Sequence, residues 1–204
     1  MLADLRIDAI RQVLADYDND RVDPARVDRH AAVSAVLRGD GEDTQVLLIR
    51  RSERPGDPWS GHMAFPGGHA EPGESLIDAA RRETWEELSL DLWRHARPIG
   101  ELDHAHAVAR GRRLDMVIAP FVFELVDDPP ELVPDAHEVA GYVWAPLGPM
   151  ITGAAHTILE HHMEGELRRF PGYDVEGNVV WGLTYRILGT LFALLHPDWE
   201  PNEL

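Results

Sequence analysis

The sequence Gly68-His69-Ala70-Glu71-Pro72-Gly73-Glu74, followed after seven residues by Arg82-Glu83-Thr84-Trp85-Glu86-Glu87, decides how this chain folds and what it can do. No proline or glycine interrupts residues 74–88, and the stretch is rich in good helix formers. We therefore predict a helix over residues 74–88 that begins directly after a tight turn.

Glu83, Glu86 and Glu87 stand three and four residues apart, so they share one face of that helix. Like charges at this spacing destabilise a bare helix. The crowding becomes tolerable when the face holds a hard cation such as Mg²⁺, which prefers carboxylate, water and phosphate oxygens. The spacing therefore indicates a metal site, although an exposed Glu/Arg helix has the same composition.

The residues around these glutamates are also informative. The pair Gly67-Gly68 allows close backbone approach and leaves N–H and C=O groups near the site. Arg82 directly precedes Glu83, and Glu74 lies nine residues before Glu83. We predict that Arg82 and Glu74 form an ion pair that orients the ligand carboxylates.

The whole pattern resembles the Nudix box, written GX5EX7REUXEEXGU with U aliphatic. The matching positions are Gly68, Glu74, Arg82, Glu83, Glu86, Glu87 and Leu90. Thr84 stands where an aliphatic residue is usual, and Ser89 replaces a glycine. We expect Thr84 to cost only some packing, and the helix to end without its usual left-handed glycine.

The resemblance implies an α+β protein, an α/β/α sandwich around a mixed β-sheet. It also implies a hydrolase of a nucleoside diphosphate linked to another moiety, in which water attacks a phosphorus with the help of Mg²⁺ or Mn²⁺. Such an ion lowers the pKa of bound water and neutralises charge on the phosphoryl oxygens.

The same resemblance assigns roles to single residues. The metal ligands and their supporting groups would be Glu83, Glu86 and Glu87, the carbonyl of Gly67 or Gly68, and the catalytic pair Arg82 and Glu74. The general base is either a box glutamate or an acidic loop residue, for which we choose Glu138. Glu138 could equally be a solvated loop carboxylate, and Glu101, Asp103 and Glu131 are weaker alternatives.

Two flanking regions narrow the substrate. Both are similar to segments of the coenzyme A pyrophosphatase subgroup of Nudix enzymes. The upstream region comprises Leu47-Leu48-Ile49-Arg50-Arg51-Ser52, Gly61 and Phe65-Pro66-Gly67-Gly68. The downstream region is Trp181-Gly182-Leu183-Thr184-Tyr185-Arg186-Ile187-Leu188. The likeness runs from about residue 31 to residue 195. Alternatively, the tryptophan segment only anchors the last helix against the sheet.

Asp57 departs from the subgroup pattern, which carries an arginine there. If that arginine holds the 3′-phosphate or the diphosphate of coenzyme A, an aspartate opposes binding by like charge. The phosphate-holding role could pass to Arg50, Arg51 or Arg54, each of which could equally be a surface residue. Phe65 completes the predicted substrate contacts.

Three functions therefore stay open. The first is a coenzyme A or acyl-coenzyme A pyrophosphatase, which the flanking segments favour. The second, motivated by Asp57, is a hydrolase of ADP-ribose, dinucleotides or nucleoside triphosphates. The third is a catalytically silent domain that binds a nucleotide or a protein, which intact box glutamates disfavour.

Composition excludes several other classes of function. The chain has 204 residues, no cysteine, and 19 basic residues that are all arginine. Disulfides, thiolate chemistry, Schiff bases and the lysine of Walker-type phosphate loops are therefore absent. A net charge of −17 disfavours a nucleic-acid polymer as partner, whereas an anionic small molecule would need a bridging divalent cation. We expect a soluble, cytoplasmic protein with no membrane segment.

We predict an N-terminal helical extension at residues 1–28 and one Nudix hydrolase domain at residues 29–204. Two strands at 31–37 and 44–51 are predicted to form a hairpin. We also predict a helix over 149–162, which together with the N-terminal helix could form a homodimer interface.

Overall fold

A mixed β-sheet forms the centre of the molecule in the computed structural model, which describes residues 3–23, 26–41, 43–56, 59–109, 112–129, 131–163 and 165–201. Asp57 lies outside these residues. The strands are β1 (Arg29–Asp40), β2 (Asp43–Arg51), β3 (Met63–Ala64), β4 (Gly67–His69), β5 (Ala96–Glu101), β6 (Ala105–Ala109), β7 (Arg112–Leu125), β8 (Val139–Pro146), β9 (His156–Met163), β10 (Glu166–Val175) and β11 (Asn178–Trp181). The helices are α1 (Ile7–Ala15), α2 (Leu76–Leu88), α3 (Leu92–His95), α4 (Leu147–Ile151) and α5 (Gly182–Leu195).

The main sheet has the strand order β3-β2-β1-β7-β5, with β4 paired to β1, β6 to β7 and β8 to β2. β1 and β7 are parallel, while the other pairs of this sheet are antiparallel. The predicted hairpin is present as the β1–β2 pair. A separate antiparallel sheet has the order β11-β10-β9.

Side chains that alternate along β2 fill the two layers beside the main sheet. Leu47 and Ile49 pack on the side of α2, in a core cluster with Ala79 and Ala80. On the opposite side, α1 and α5 bury their apolar faces against the sheet, with Leu48 among the shared core residues. The arrangement is the predicted α/β/α sandwich around a mixed sheet.

The predicted helix over residues 149–162 is wrong. α4 ends at Ile151, and the chain re-enters a strand, β9, at His156. Gly153 has a left-handed φ of 80°, which ends the helical path, and β9 then pairs with β10. The apolar residues of this segment therefore serve a sheet, a long-range pairing that local periodicity does not reveal.

The N-terminal segment is bound to the rest of the fold by charge as well as by apolar contact. Arg11 of α1 and Arg97 of β5 both donate two hydrogen bonds to Glu124 of β7, at 2.8–2.9 Å. Tyr17 donates to the carboxylate of Asp103. Within the described residues, the helices are too short or too polar to cross a membrane.

Candidate metal and diphosphate site

The helix that carries the box glutamates is defined by its two ends. Ser75 caps the start, since its Oγ accepts a hydrogen bond from the Asp78 N–H. At the other end Ser89 has a φ of 55°, and its N–H donates to the Trp85 carbonyl oxygen. The expectation of an ending without a left-handed glycine is met, but the left-handed conformation itself is kept by a serine.

Arg82 organises the acidic face. Its Nε and Nη2 donate to the two oxygens of Glu74 at 3.0 and 3.1 Å, so the predicted ion pair is present. Its Nη1 also donates to Glu83 and Glu86, both at 2.9 Å, and Nη2 donates to the carbonyl oxygen of His69. One guanidinium therefore holds two of the predicted ligands, and these bonds raise its own pKa, Glu74 foremost.

The glycine pair is needed because neither position of β4 has room for a side chain. A Cβ on Gly68 would lie 2.5 Å from the Glu83 carboxylate carbon. Gly67 has a φ of 149°, and a Cβ there would lie 2.2 Å from the carbonyl oxygen of Ala32. The Gly67 N–H donates to Glu87 at 2.9 Å. Gly67 thus holds a predicted ligand through its N–H, while its carbonyl remains a predicted ligand only.

Burial makes the ionised forms of Glu83 and Glu87 unfavourable. Glu87 is 2% exposed, and burial raises its pKa to about 8 despite the Gly67 hydrogen bond and the positive charge of Arg51. Burial also raises the pKa of Glu83, only partly opposed by Arg82. The charge of Glu138 contributes to the raised pKa of both residues.

These residues fit a divalent cation in a particular way. Among the described residues, no three His, Asp or Glu side chains converge around one metal position. Mg²⁺ is commonly held by one or two carboxylates with waters and substrate phosphate completing its shell. The crowded, partly buried Glu83 and Glu87 match that incomplete kind of site, since a cation would stabilise their ionised forms. When bound, such an ion lowers the pKa of water and neutralises phosphoryl charge.

The predicted general base and the predicted substrate-binding arginines occupy different places in the structure. Arg54 donates to the carbonyl oxygen of His137 and, at 3.2 Å, to Glu138. Arg51 lines the large cavity described below and lies close enough to Glu87 to lower its pKa. Arg50 is exposed and does not line that cavity, whereas the buried Phe65 does.

The weaker base candidates have other partners. Glu101 contacts His104 at 2.7 Å and Arg21 at 2.6 Å, and Asp103 accepts hydrogen bonds from Tyr17 and from the N–H of Asp20. Glu101 and Asp103 therefore hold the N-terminal segment in place. Glu131 is exposed.

A cavity of about 930 Å³ adjoins the glycine pair. Among the described residues its lining includes three arginines, Arg51, Arg168 and Arg186, and five histidines, but no aspartate or glutamate. This composition is notable in a chain with 36 acidic and 19 basic residues. One wall is aliphatic, including Met116 and Ile118.

Another part of the lining is aromatic and was not predicted. The Trp181 ring is 4.7 Å from His62, 5.1 Å from Phe170 and 5.3 Å from His161, measured between centroids. All four rings line the cavity, so Trp181 is more than an anchor for α5. His161 belongs to the segment wrongly predicted as a helix, which hid its alignment with Trp181.

Comparison with known proteins agrees with this geometry. A family model described as NUDIX domain matches residues 28–161, so the chain belongs to the Nudix hydrolase family, pyrophosphatases that act on nucleoside diphosphate derivatives and generally use divalent metal ions. Nudix hydrolase 3 of Caenorhabditis elegans is 29% identical over 204 residues, covering 87% of this chain and 78% of that protein. The uncharacterized Nudix hydrolase NudL of Yersinia pestis (strain Pestoides F) is 30% identical, covering 78% of this chain and 76% of its own.

A solved structure shows the same fold. The Caenorhabditis elegans Ap4A hydrolase binary complex superposes with a TM-score of 0.50 at 24% identity, covering 61% of this chain and 84% of that one. Some other curated relatives align over less of their own length, 36% for one and 25% for another. The activity and substrate of those whole proteins are therefore no guide to this chain.

Proposed function

We propose that this chain hydrolyses the diphosphate linkage of coenzyme A or acyl-coenzyme A with Mg²⁺ or Mn²⁺, and that Glu83, Glu86 and Glu87 bind the metal. The observation that carries the proposal is the juxtaposition of an acidic helix face with a cavity that holds arginines and histidines but no described carboxylate. A divalent ion on the acidic face and cations in the cavity would together receive a diphosphate.

Individual residues have different proposed roles in substrate binding, ligand positioning and base catalysis. Arg51, which lines the cavity and whose charge lowers the pKa of Glu87, would bind the diphosphate. Arg82 positions Glu83 and Glu86 through its hydrogen bonds. Glu138 is our proposed base, and its pairing with Arg54 would hold its carboxylate in place. Attack of water on one phosphorus breaks the P–O bond of the anhydride and yields two phosphate monoesters.

The apolar part of the cavity favours coenzyme A over the second candidate group, ADP-ribose and dinucleotides. Coenzyme A carries a long pantetheine arm of low charge, for which the wall containing Met116 and Ile118 is suitable. ADP-ribose and dinucleotides carry a polar sugar at the corresponding position.

The test is Mg²⁺-dependent hydrolysis of coenzyme A, acetyl-coenzyme A, ADP-ribose, NADH and dGTP by the full chain. Glu86→Gln and Glu87→Gln should lower turnover by orders of magnitude, while Glu71→Gln, an exposed glutamate of the same box, should not. Both losses should occur without unfolding, since a glutamine at Glu87 is close in shape to the original side chain and adds no charge to the buried site, which leaves stability level or higher.

Preferential cleavage of the coenzyme A compounds supports the proposal, with 4′-phosphopantetheine and adenosine 3′,5′-bisphosphate as products. Preference for another diphosphate contradicts the substrate but keeps the metal site. Near-normal activity of Glu87→Gln contradicts the ligand assignment.

A further inference from the structure

We propose that the aromatic wall around Trp181, together with Arg168, is the subsite that binds the purine base and an adjacent phosphate of the substrate's nucleotide half. This inference deepens the proposed function and rests on it for the identity of the whole substrate. The subsite itself belongs to the small antiparallel sheet β9–β11, away from the box helix.

The register of this sheet places the relevant side chains on one face. Arg168 pairs with His161 across β10 and β9, and Trp181 pairs with Gly172 across β11 and β10. Residues two apart along a strand share a face, so Phe170 lies between these two pairs on the same side. The sheet therefore presents three rings and one guanidinium together toward the cavity.

Gly172 lies opposite Trp181 and lets β10 and β11 approach closely. A Cβ at this position would lie 2.7 Å from Val179 Cγ1 and 2.8 Å from the carbonyl oxygen of Val180, whereas 3.5 Å to Trp181 Cβ is an ordinary contact distance. Because no side chain stands opposite Trp181, the indole can lie over the strand and contact both His161 and Phe170. His62, which precedes β3 of the main sheet, closes the cluster from the other side.

The chemistry of this wall favours a base over an aliphatic arm. Flat rings stack on nucleobases, and one base–aromatic stack contributes about 1–3 kcal/mol in single-stranded nucleic-acid complexes. The aliphatic wall already offers a surface for an apolar arm. The two walls thus differ in the ligand chemistry that each one suits.

Arg168 supplies the charge that a nucleotide needs. Among the residues that the structure describes, its ion pair is a 3.4 Å contact with the exposed Glu166, and its side chain is 46% exposed. Exposed pairs of this kind contribute little, so a phosphate can compete for the guanidinium. Arg169, the next residue, lies on the alternate side of the strand and does not line the cavity, which makes it a matched control.

The test is binding of adenosine 3′,5′-bisphosphate to the full chain by calorimetry in EDTA, where no turnover occurs. Trp181→Ala should weaken binding about 5- to 150-fold, the range for loss of one base stack. Trp181→Phe should restore most of the affinity because it keeps a ring. Arg168→Ala should weaken binding about tenfold and flatten its salt dependence, whereas Arg169→Ala should do neither.

Thermal unfolding of each variant shows whether the fold is intact, and Trp181→Phe keeps the test decisive if Trp181→Ala unfolds. The inference is overturned if the unmodified chain does not bind the nucleotide, if Trp181→Phe binds no better than a folded Trp181→Ala, or if Arg168→Ala and Arg169→Ala behave alike.

These outcomes are separable from those of the hydrolysis test. Trp181-dependent nucleotide binding without hydrolysis of coenzyme A would support the subsite and contradict the proposed substrate. Hydrolysis of coenzyme A with a KM that does not change in a folded Trp181→Ala or in Arg168→Ala would support the function and contradict the subsite.

Discussion

The Thr84 hydroxyl of α2 donates a hydrogen bond to Ser34 Oγ of β1 across 2.9 Å, and Ser34 in turn donates to the carbonyl oxygen of Ala80 at 3.0 Å. Thr84 and Ser34 are both fully buried. Thr84 occupies a position where an aliphatic residue is usual, and it therefore has a polar partner on the facing strand. A short hydrogen-bonded chain replaces an apolar contact between helix and sheet.

This relationship predicts non-additive stability. Ser34→Ala and Thr84→Val each leave the other hydroxyl near the Ala80 carbonyl oxygen, so neither single change strands a buried donor. We expect each to change the free energy of unfolding by about 1 kcal/mol or less, and the two together to deviate from additivity by about 0.5–1 kcal/mol. Urea unfolding of the four proteins measures this coupling, and strict additivity would mean that the hydroxyls do not interact.

Ser89 gives a second stability prediction. A residue other than glycine at a φ of 55° destabilises the folded state by about 1–2 kcal/mol. Glycine has the opposite effect through the unfolded chain, whose greater conformational entropy lowers the free energy of unfolding by about 0.4–1 kcal/mol. Ser89→Gly should therefore stabilise the protein by about 0.5–1 kcal/mol, measured by urea unfolding. Gly141→Ala, at a position with open space and no left-handed φ, controls for a general glycine effect. A destabilised Ser89→Gly would show that the serine side chain has a role of its own.

The difference between what could and could not be predicted follows from the range of the interactions. Glu83, Glu86 and Glu87 share a face because of local helical geometry, and the Arg82–Glu74 pair spans eight residues. The aromatic wall joins His62, His161 and Trp181 from three distant parts of the chain. The rings come together through the register of the strands. That register could not be predicted because residues 149–162 were predicted to be a helix and not a strand.

The hairpin β1–β2 was predictable for the same reason, because it is encoded by contiguous apolar periodicity. Ser34 could not be recognised as the partner of Thr84, since the two are 50 residues apart. The cavity's lack of described carboxylates is likewise a property of the fold, because acidic residues occur throughout the sequence.

Gly68 is predicted to be indispensable to the site but not to the fold. An added Cβ would lie 2.5 Å from both the Glu83 carboxylate carbon and Oε2, atoms at the end of a side chain that can move. Gly68→Ala should therefore displace Glu83 and lower turnover by about tenfold or more, with a modest change in Tm. The check is kcat of the Mg²⁺-dependent reaction beside a thermal melt, with Gly141→Ala as control. Unchanged kcat would contradict the proposed role of Glu83.

The ion cluster that joins α1 to the sheet predicts a pH dependence of stability. Burial by itself would raise the pKa of Glu124, but hydrogen bonds from Arg11 and Arg97 outweigh it and lower the pKa. A lowered folded-state pKa stabilises the protein above the unfolded pKa, near 4.5, and this contribution is lost as pH falls through the folded value.

Glu124→Gln should therefore lower the free energy of unfolding by about 1–3 kcal/mol at pH 7, since two arginines lose a charged acceptor. The gap between the original protein and the variant should narrow as pH falls below about 4.5, because the original carboxyl group is then neutral as well. Urea unfolding from pH 7 to pH 3 measures the gap, with Glu71→Gln as a control that should show none at pH 7. A gap that stays constant with pH would show that shape, and not the charge of Glu124, holds α1 in place.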